Sequence, residues 1–174
     1  YNMDSYSDTY FELTSDINCG GEPYEDIIGI GGIGNNVLYG NGHSVSQLSA
    51  SHSTFDLIRN VEYIDPISFI YFMNGETIEN VNITGAVWDS NAPDQPNYLL
   101  GLNNITDVKI TNSYNELPNP DGVAYIYDRG VNSGIQNIER LQIINGGLNG
   151  TNAAPFWGME NDAYASTIEQ VKIR

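Results

Sequence analysis

Ile78-Glu79-Asn80-Val81-Asn82-Ile83 reads as an aliphatic residue, a polar residue, an amide and a second aliphatic residue, followed by strand-like alternation. The four-residue phrase returns at Ile58-Arg59-Asn60-Val61, Ile105-Thr106-Asp107-Val108, Ile135-Gln136-Asn137-Ile138 and Ile168-Glu169-Gln170-Val171. Val108-Lys109-Ile110 repeats the alternation as well. Successive copies begin 20, 27, 30 and 33 residues apart. A short minimum interval with variable extra length describes solenoid coils carrying insertions on one side, whereas helical repeats and propeller blades keep a fixed period.

The phrase has a physical reading. Aliphatic side chains pointing into a parallel β-solenoid stack on their equivalents in the coils above and below, and together they make one continuous core. Between two strands the chain must bend. Asn tolerates the left-handed backbone of such a bend, and its amide can bond the Asn of the next coil as a ladder. Asn60, Asn80, Asp107, Asn137 and Gln170 are the expected ladder residues. The competing reading is an Asn-rich β-sandwich in which the phrase is only a strand and a turn. A sandwich needs hairpin signals, and although Asn41-Gly42, Asn74-Gly75 and Asn149-Gly150 qualify, they are not consistently flanked by two matched alternating runs. Gly, Pro or Asn interrupts nearly every helical window, while Ile, Val, Tyr and Thr are abundant. The expected fold is an all-β parallel solenoid of about six coils. It forms one domain over residues 1–174, with 1–37 as N-terminal cap and first coil and 38–174 as successive coils.

The N-terminal text adds a resemblance. Tyr10-Phe11-Glu12-Leu13-Thr14-Ser15-Asp16-Ile17-Asn18 precedes a Gly-rich segment and then Leu38-Tyr39-Gly40-Asn41-Gly42-His43-Ser44-Val45-Ser46-Gln47-Leu48. This order resembles the opening coils of right-handed parallel β-helix proteins of the pectate-lyase-like class, in particular bacterial and archaeal cell-surface and adhesin-type β-helices. The later phrases resemble the ordinary coils of that class. The resemblance implies a right-handed helix and no particular activity, because enzymes, adhesins, phage spikes and surface-layer proteins share the architecture.

Composition narrows the partners. With 22 acidic and 6 basic side chains, the net charge is −16. Nucleic acid and anionic lipid both require clustered Lys and Arg, so neither is an expected partner. Residues 27–33 and 67–73 are the longest apolar stretches, far short of the roughly 20 residues of a membrane helix. The chain begins at Tyr1 without a leader and reads as processed or excised. The lone Cys19 cannot form an internal disulfide and reads as a small buried hydrophobe. Sequons at Asn82, Asn104 and Asn149 admit N-glycosylation of an exported chain. The expected location is extracellular or at the cell surface.

No residue pattern compels a catalytic assignment. β-Helix hydrolases need converging carboxylates, for which Asp121 and Asp128, or Asp89 and Asp94, are the available pairs. The resemblance implies further phrases for a pectin hydrolase (Asn-Thr-Asp, Asp-Asp, Gly-His-Gly and Arg-Ile-Lys), and they do not occur in that order. A lyase would need basic residues together with calcium carboxylates. The chain is therefore expected not to be an enzyme. His43 reads as a turn and packing residue and His52 as exposed, and neither has the spacing of a metal ligand set. Gly29-Ile30-Gly31-Gly32-Ile33-Gly34 lacks the Lys-Ser/Thr of a phosphate loop. No cofactor is expected apart from calcium, for which Asp89, Asp94, Asp121 and Asp128 are the candidate ligands, against a solvated acidic surface as the alternative.

Two surfaces remain. Trp88, Tyr98, Tyr114, Phe156 and Trp157, with Tyr125 and Tyr127, are expected mainly in insertions, where they could stack on glycan rings, contact a neighbouring protein or cover the solenoid flank. The strand text at Ile168, Val171 and Ile173 is expected either to form an open assembly end at which a second copy adds a coil or to belong to a fragment of a longer solenoid. The functional expectation is a structural protein that self-assembles head to tail into a filament, sheath or surface layer, or a segment of an adhesin. The alternative is a polysaccharide-binding or polysaccharide-degrading β-helix.

Overall fold

The computed structural model describes residues 10–20, 37–48, 57–66, 70–71, 77–88, 97–101, 104–115, 123–127, 137–148, 153, 156–157 and 167–174. In chain order the first strands are β1 (Tyr10–Glu12), β2 (Ile17–Asn18), β3 (Val37–Tyr39), β4 (Ser44–Ser46), β5 (Leu57–Arg59) and β6 (Glu62–Ile64). Next come β7 (Ile70–Tyr71), β8 (Thr77–Thr84), β9 (Val87–Trp88), β10 (Asn97–Gly101), β11 (Asn104–Thr111) and β12 (Tyr114–Asn115). The last are β13 (Val123–Tyr127), β14 (Asn137–Glu139), β15 (Gln142–Ile144), β16 (Phe156–Trp157), β17 (Thr167–Glu169) and β18 (Lys172–Ile173).

All registers between these strands are parallel, and each joins one level of the chain to the next. A 12-stranded sheet runs β1-β3-β5-β8-β11-β14-β17, and the strands that follow the bend run beside it as β2-β4-β6-β8-β11-β15-β18. β8 and β11 are long enough to belong to both halves. A 4-stranded sheet, β7-β10-β13-β16, and a 2-stranded sheet, β9-β12, follow the same order of levels. Neighbours in sequence are thus not hairpin partners, which removes the sandwich reading for the described residues. The chain is all-β with parallel sheets, and seven levels can be followed through the first strand set.

The register explains the core. Phe11, Leu38, Ile58, Ile78, Ile105, Ile138 and Ile168 are successive partners down the first column. Ile17, Val45, Tyr63, Ile83, Ile110, Ile143 and Ile173 form the second. The middle members are buried, with Ile78, Ile83, Ile105, Ile110 and Ile138 at 0% exposure. Alternation does the sorting: in β8 and β11 side chains switch between buried and outward-facing positions residue by residue, except at the bend. The 4-stranded sheet differs. Leu99 and Leu100 in β10, and Tyr125 and Ile126 in β13, are adjacent residues that are all buried, so both faces of these strands are covered.

One phrase is displaced from its expected position. Ile138, not Ile135, lies in register with Ile105, so the fourth phrase is Ile138-Glu139-Arg140-Leu141 and Asn137 is a strand residue paired with Asn104. Three residues separate the two candidate phrases, and both carry aliphatics at each end. Burial decides between them: Ile138 and Leu141 are both at 0% exposure, which continues the columns of Ile105 and Val108. The aromatics also move relative to expectation. Trp88, Tyr98, Tyr125, Tyr127, Phe156 and Trp157 lie on strands β9, β10, β13 and β16 rather than in insertions, in keeping with the strand preference of aromatic residues.

Burial sets the expected energetics. Ile105→Ala should lower stability by about 2–5 kcal/mol through lost transfer energy and a cavity. Ile173→Ala, at 48% exposure, should cost less than about 1 kcal/mol. Urea unfolding of the two variants beside the parent checks the contrast, and equal losses would contradict the column assignment.

Candidate functional site

From the second level on, each level bends at a residue with left-handed backbone. At the first bend these are Asn41 (φ 53°), Asn60 (56°), Asn80 (51°), Asp107 (54°), Arg140 (52°) and Gln170 (55°). A second bend follows the second strand, at Gln47, Asp65, Gly85, Asn112 and Asn145. The second set shows what the conformation achieves. Gln47, Asp65, Gly85, Asn112 and Asn145 each donate their backbone N–H to a carbonyl one level on, at Ile64, Thr84, Thr111, Ile144 and Arg174, over 2.8 to 3.0 Å. Left-handed backbone costs an ordinary L-residue roughly 1–2 kcal/mol, less for Asn and Asp, and the interlevel bonds offset it. Gly40 answers a different demand, close approach: a Cβ there would lie 2.3 Å from the Asn60 carbonyl oxygen.

The expected ladder is thus only partly amide. Asn80 Nδ2 donates to Asn60 Oδ1 at 2.6 Å. Two levels further, the bend residues are Asp107 and Arg140, joined by two charge-assisted bonds: Nε to Oδ1 at 2.5 Å and a terminal nitrogen to Oδ2 at 2.8 Å. Arg140 also donates to Glu139 Oε2 at 2.8 Å. Arg140, not Asn137, occupies the ladder position, and this forked pairing holds a residue type ill suited to the bend. The Arg140 guanidinium holds the Asp107 carboxyl below its usual range, and the two carboxylates raise the pKa of Arg140. A second interlevel pair joins register partners Arg59 and Glu79 at 2.5 Å.

Outside the bend lies a groove of about 400 Å³. Asn82, Lys109, Gln142 and Lys172, the outward residues of the second strands, form one wall in register, and Asp107 and Arg140 lie beside them. Among the described residues Lys109 and Lys172 have no ion pair, in contrast to Arg59 and Arg140. Following this column toward the N-terminal levels leads through Glu62 and Ser44 to Asp16. Asp16 Oδ1 accepts the Ser44 N–H at 2.9 Å and lies 3.3 Å from His43 Nδ1. These contacts lower the Asp16 pKa, the Ser44 amide most of all. The column is therefore acidic at one end and basic at the other. Alternation after each phrase could have revealed it, since the residue between the two aliphatics in Val81-Asn82-Ile83, Val108-Lys109-Ile110 and Leu141-Gln142-Ile143 is always the outward one.

Other expected residues are placed as follows. Cys19 is buried, and desolvation pushes its thiol pKa up. His43 is half-buried and donates its backbone N–H to the Gly40 carbonyl at 2.8 Å. Asn82 is exposed and Asn104 half-buried. Tyr114 is exposed, and Ile173 likewise. Val171 is partly buried against the core. Trp88, Tyr98, Phe156, Trp157 and Ile168 are placed on strands by their backbone. His52, Asn149, the calcium candidates Asp89, Asp94, Asp121 and Asp128, and the glycines at 29–34 lie outside the described residues. Among the described residues no group of three or more His, Cys, Asp or Glu could hold a metal, and no helix is long and apolar enough to cross a membrane.

The buried hydroxyls of Ser113 and Tyr125 are satisfied. Ser113 Oγ accepts the Ala86 N–H at 3.1 Å and donates to the Thr111 carbonyl at 2.9 Å. Tyr125 donates its hydroxyl to the Ser113 carbonyl at 3.0 Å, and desolvation pushes its pKa up to about 12. These groups lock levels together and offer no nucleophile. Comparison of the chain with protein-family models, curated proteins and solved structures returns no match.

The Asp107–Arg140 pair carries a pH signature. Because the folded pKa of Asp107 is below its ordinary value of 3.8, its contribution is present above that pH and lost as pH falls through the lowered value. The difference in melting temperature between the parent and Asp107→Asn should therefore be largest above about pH 4 and shrink on acidification. Thermal melts from pH 6 to pH 2 check this, and a gap that stays constant would contradict it.

Proposed function

We propose that this chain is an extracellular structural protein, a right-handed parallel β-solenoid that stacks head to tail into a filament, sheath or surface layer. The same architecture serves equally as a segment of an adhesin. One observation carries the reading. Down the second column the interior members Val45 to Ile143 are at most 3% exposed, whereas the end members Ile17 and Ile173 are 42% and 48% exposed. Among the described residues, no strand pairs beyond β1 and β2 at one end, or beyond β17 and β18 at the other. Open parallel strands with exposed aliphatics are a template for a further level, and the contact is heterologous, so it propagates rather than closes.

Right-handed coiling is favoured because parallel strands joined through a crossover take that hand in about 98% of cases. Export is supported by the exposed sequon residue Asn82. The groove supports a second reading, a glycan-binding solenoid, since its amides and unpaired ammonium groups suit sugar hydroxyls and carboxylates.

The test is direct. Sedimentation and negative-stain microscopy of the purified chain over a wide concentration range should show ordered linear assemblies above a threshold. A monomer at every concentration would refute the stacking reading, and tight, selective capture on a glycan array would favour the second one.

A further inference from the structure

Within the chain, opposite charges that the register brings together on neighbouring levels form pairs, as Arg59 does with Glu79 and Asp107 with Arg140, while Glu139 and Glu169 are like-charged register partners. The same rule can be applied to the two open ends. One end carries Glu12 on β1 and the exposed Asp16 just before β2, and the other carries Glu169 on β17 and Lys172 on β18.

We propose that the second copy continues the internal register, placing Ile173 over the next copy's Ile17, Ile168 over Phe11 and Lys172 over Asp16 as a salt bridge across the interface. This rests on the stacking reading above and names its geometry. Parallel pairing requires both copies to point the same way, so the acidic end of one meets the basic end of the other. Asp16 Oδ1 accepts the Ser44 N–H and faces His43 within its own chain, and its side chain is still 72% exposed, so the carboxylate remains accessible. At the level spacing of about 4.8 Å, an ammonium one level away is within reach of that carboxylate.

The bends do not forbid this register. Phe11 and Ile17 are six positions apart whereas Ile168 and Ile173 are five apart, so a wider bend would stack on a tighter one. The chain already contains a larger mismatch. Leu38 and Val45, seven apart, lie in register with Ile58 and Tyr63, five apart. The extra residues are absorbed in Gly40-Asn41-Gly42-His43, where Gly42 N–H still reaches the Asn60 carbonyl at 2.8 Å.

The register also contains one opposing contact: Glu169 falls over Glu12, a like-charge pair. This makes the proposal testable by gain as well as by loss. Critical concentrations for assembly would be measured by pelleting at low salt for the parent and for Lys172→Glu, Asp16→Lys, the double variant and Glu169→Arg. Each of the first two singles should raise the critical concentration by about threefold or more, and the double variant should recover most of the loss. Glu169→Arg, at an exposed strand position, should lower it by about threefold, because it converts the Glu12 contact into a pair like that of Arg59 and Glu79. Raised salt should shrink all of these differences. If every variant assembles as the parent does, or if Glu169→Arg assembles less readily, the register is overturned while stacking stands. A parent chain that never assembles overturns both.

Discussion

Parallel hydrogen bonding between levels, in constant register, is the constraint on which the rest of this structure depends. Since the bonds run from each level to the next, every outward or inward position becomes a column, and a residue is judged chiefly by what lies above and below it. Ile78 is at 0% exposure because Ile58 and Ile105 are its register partners. The same rule sets the charged groups against one another: Arg59 meets Glu79, and Asp107 meets Arg140. It also frees the connections. Insertions between levels can differ in length without disturbing the stack, since loop closure grows only slowly with length, by about 0.6 kcal/mol per doubling.

Most of this architecture was legible in the sequence, for a physical reason. Ile-x-Asn-Val combines the two demands of a level, an inward aliphatic on each side and a residue tolerant of left-handed backbone between them. Asn60, Asn80, Asp107 and Gln170 were found by that signal and adopt positive φ. Arg140 was not, because nothing in a single residue's propensity marks Arg for such a bend. Its position is held by Asp107 beneath it, an interaction visible only once the levels are aligned. Asn137, which looked better suited locally, lost to the burial of Ile138 and Leu141, a collective term that outweighs the preference of one bend residue.

The aromatics teach the complementary lesson. Tyr125 reads in sequence as an insertion residue that either makes contacts or covers the solenoid flank, and in the structure it lies on a strand at 3% exposure with its hydroxyl bonded to the Ser113 carbonyl. Strands β10 and β13 of the 4-stranded sheet bury adjacent residues, so they lack the clean alternation that makes β8 and β11 recognisable. The charged column was overlooked for another reason. Asn82, Lys109, Gln142 and Lys172 alternate between amide and ammonium, so no single residue type marks the column, and their common place between two aliphatics is what unites them.

The spacing between levels also sets how such a chain finds its fold. Register partners on adjacent levels of the 12-stranded sheet are between 18 and 33 residues apart. No described strand pairing joins levels that are not neighbours. The longest loop that must close is thus fixed by one level and not by the length of the chain. Two adjacent levels suffice for a nucleus, and each further level docks onto an edge already in place. Adding levels lengthens the product without raising the entropic barrier to each step, so such a chain grows by many similar local searches in place of one global search.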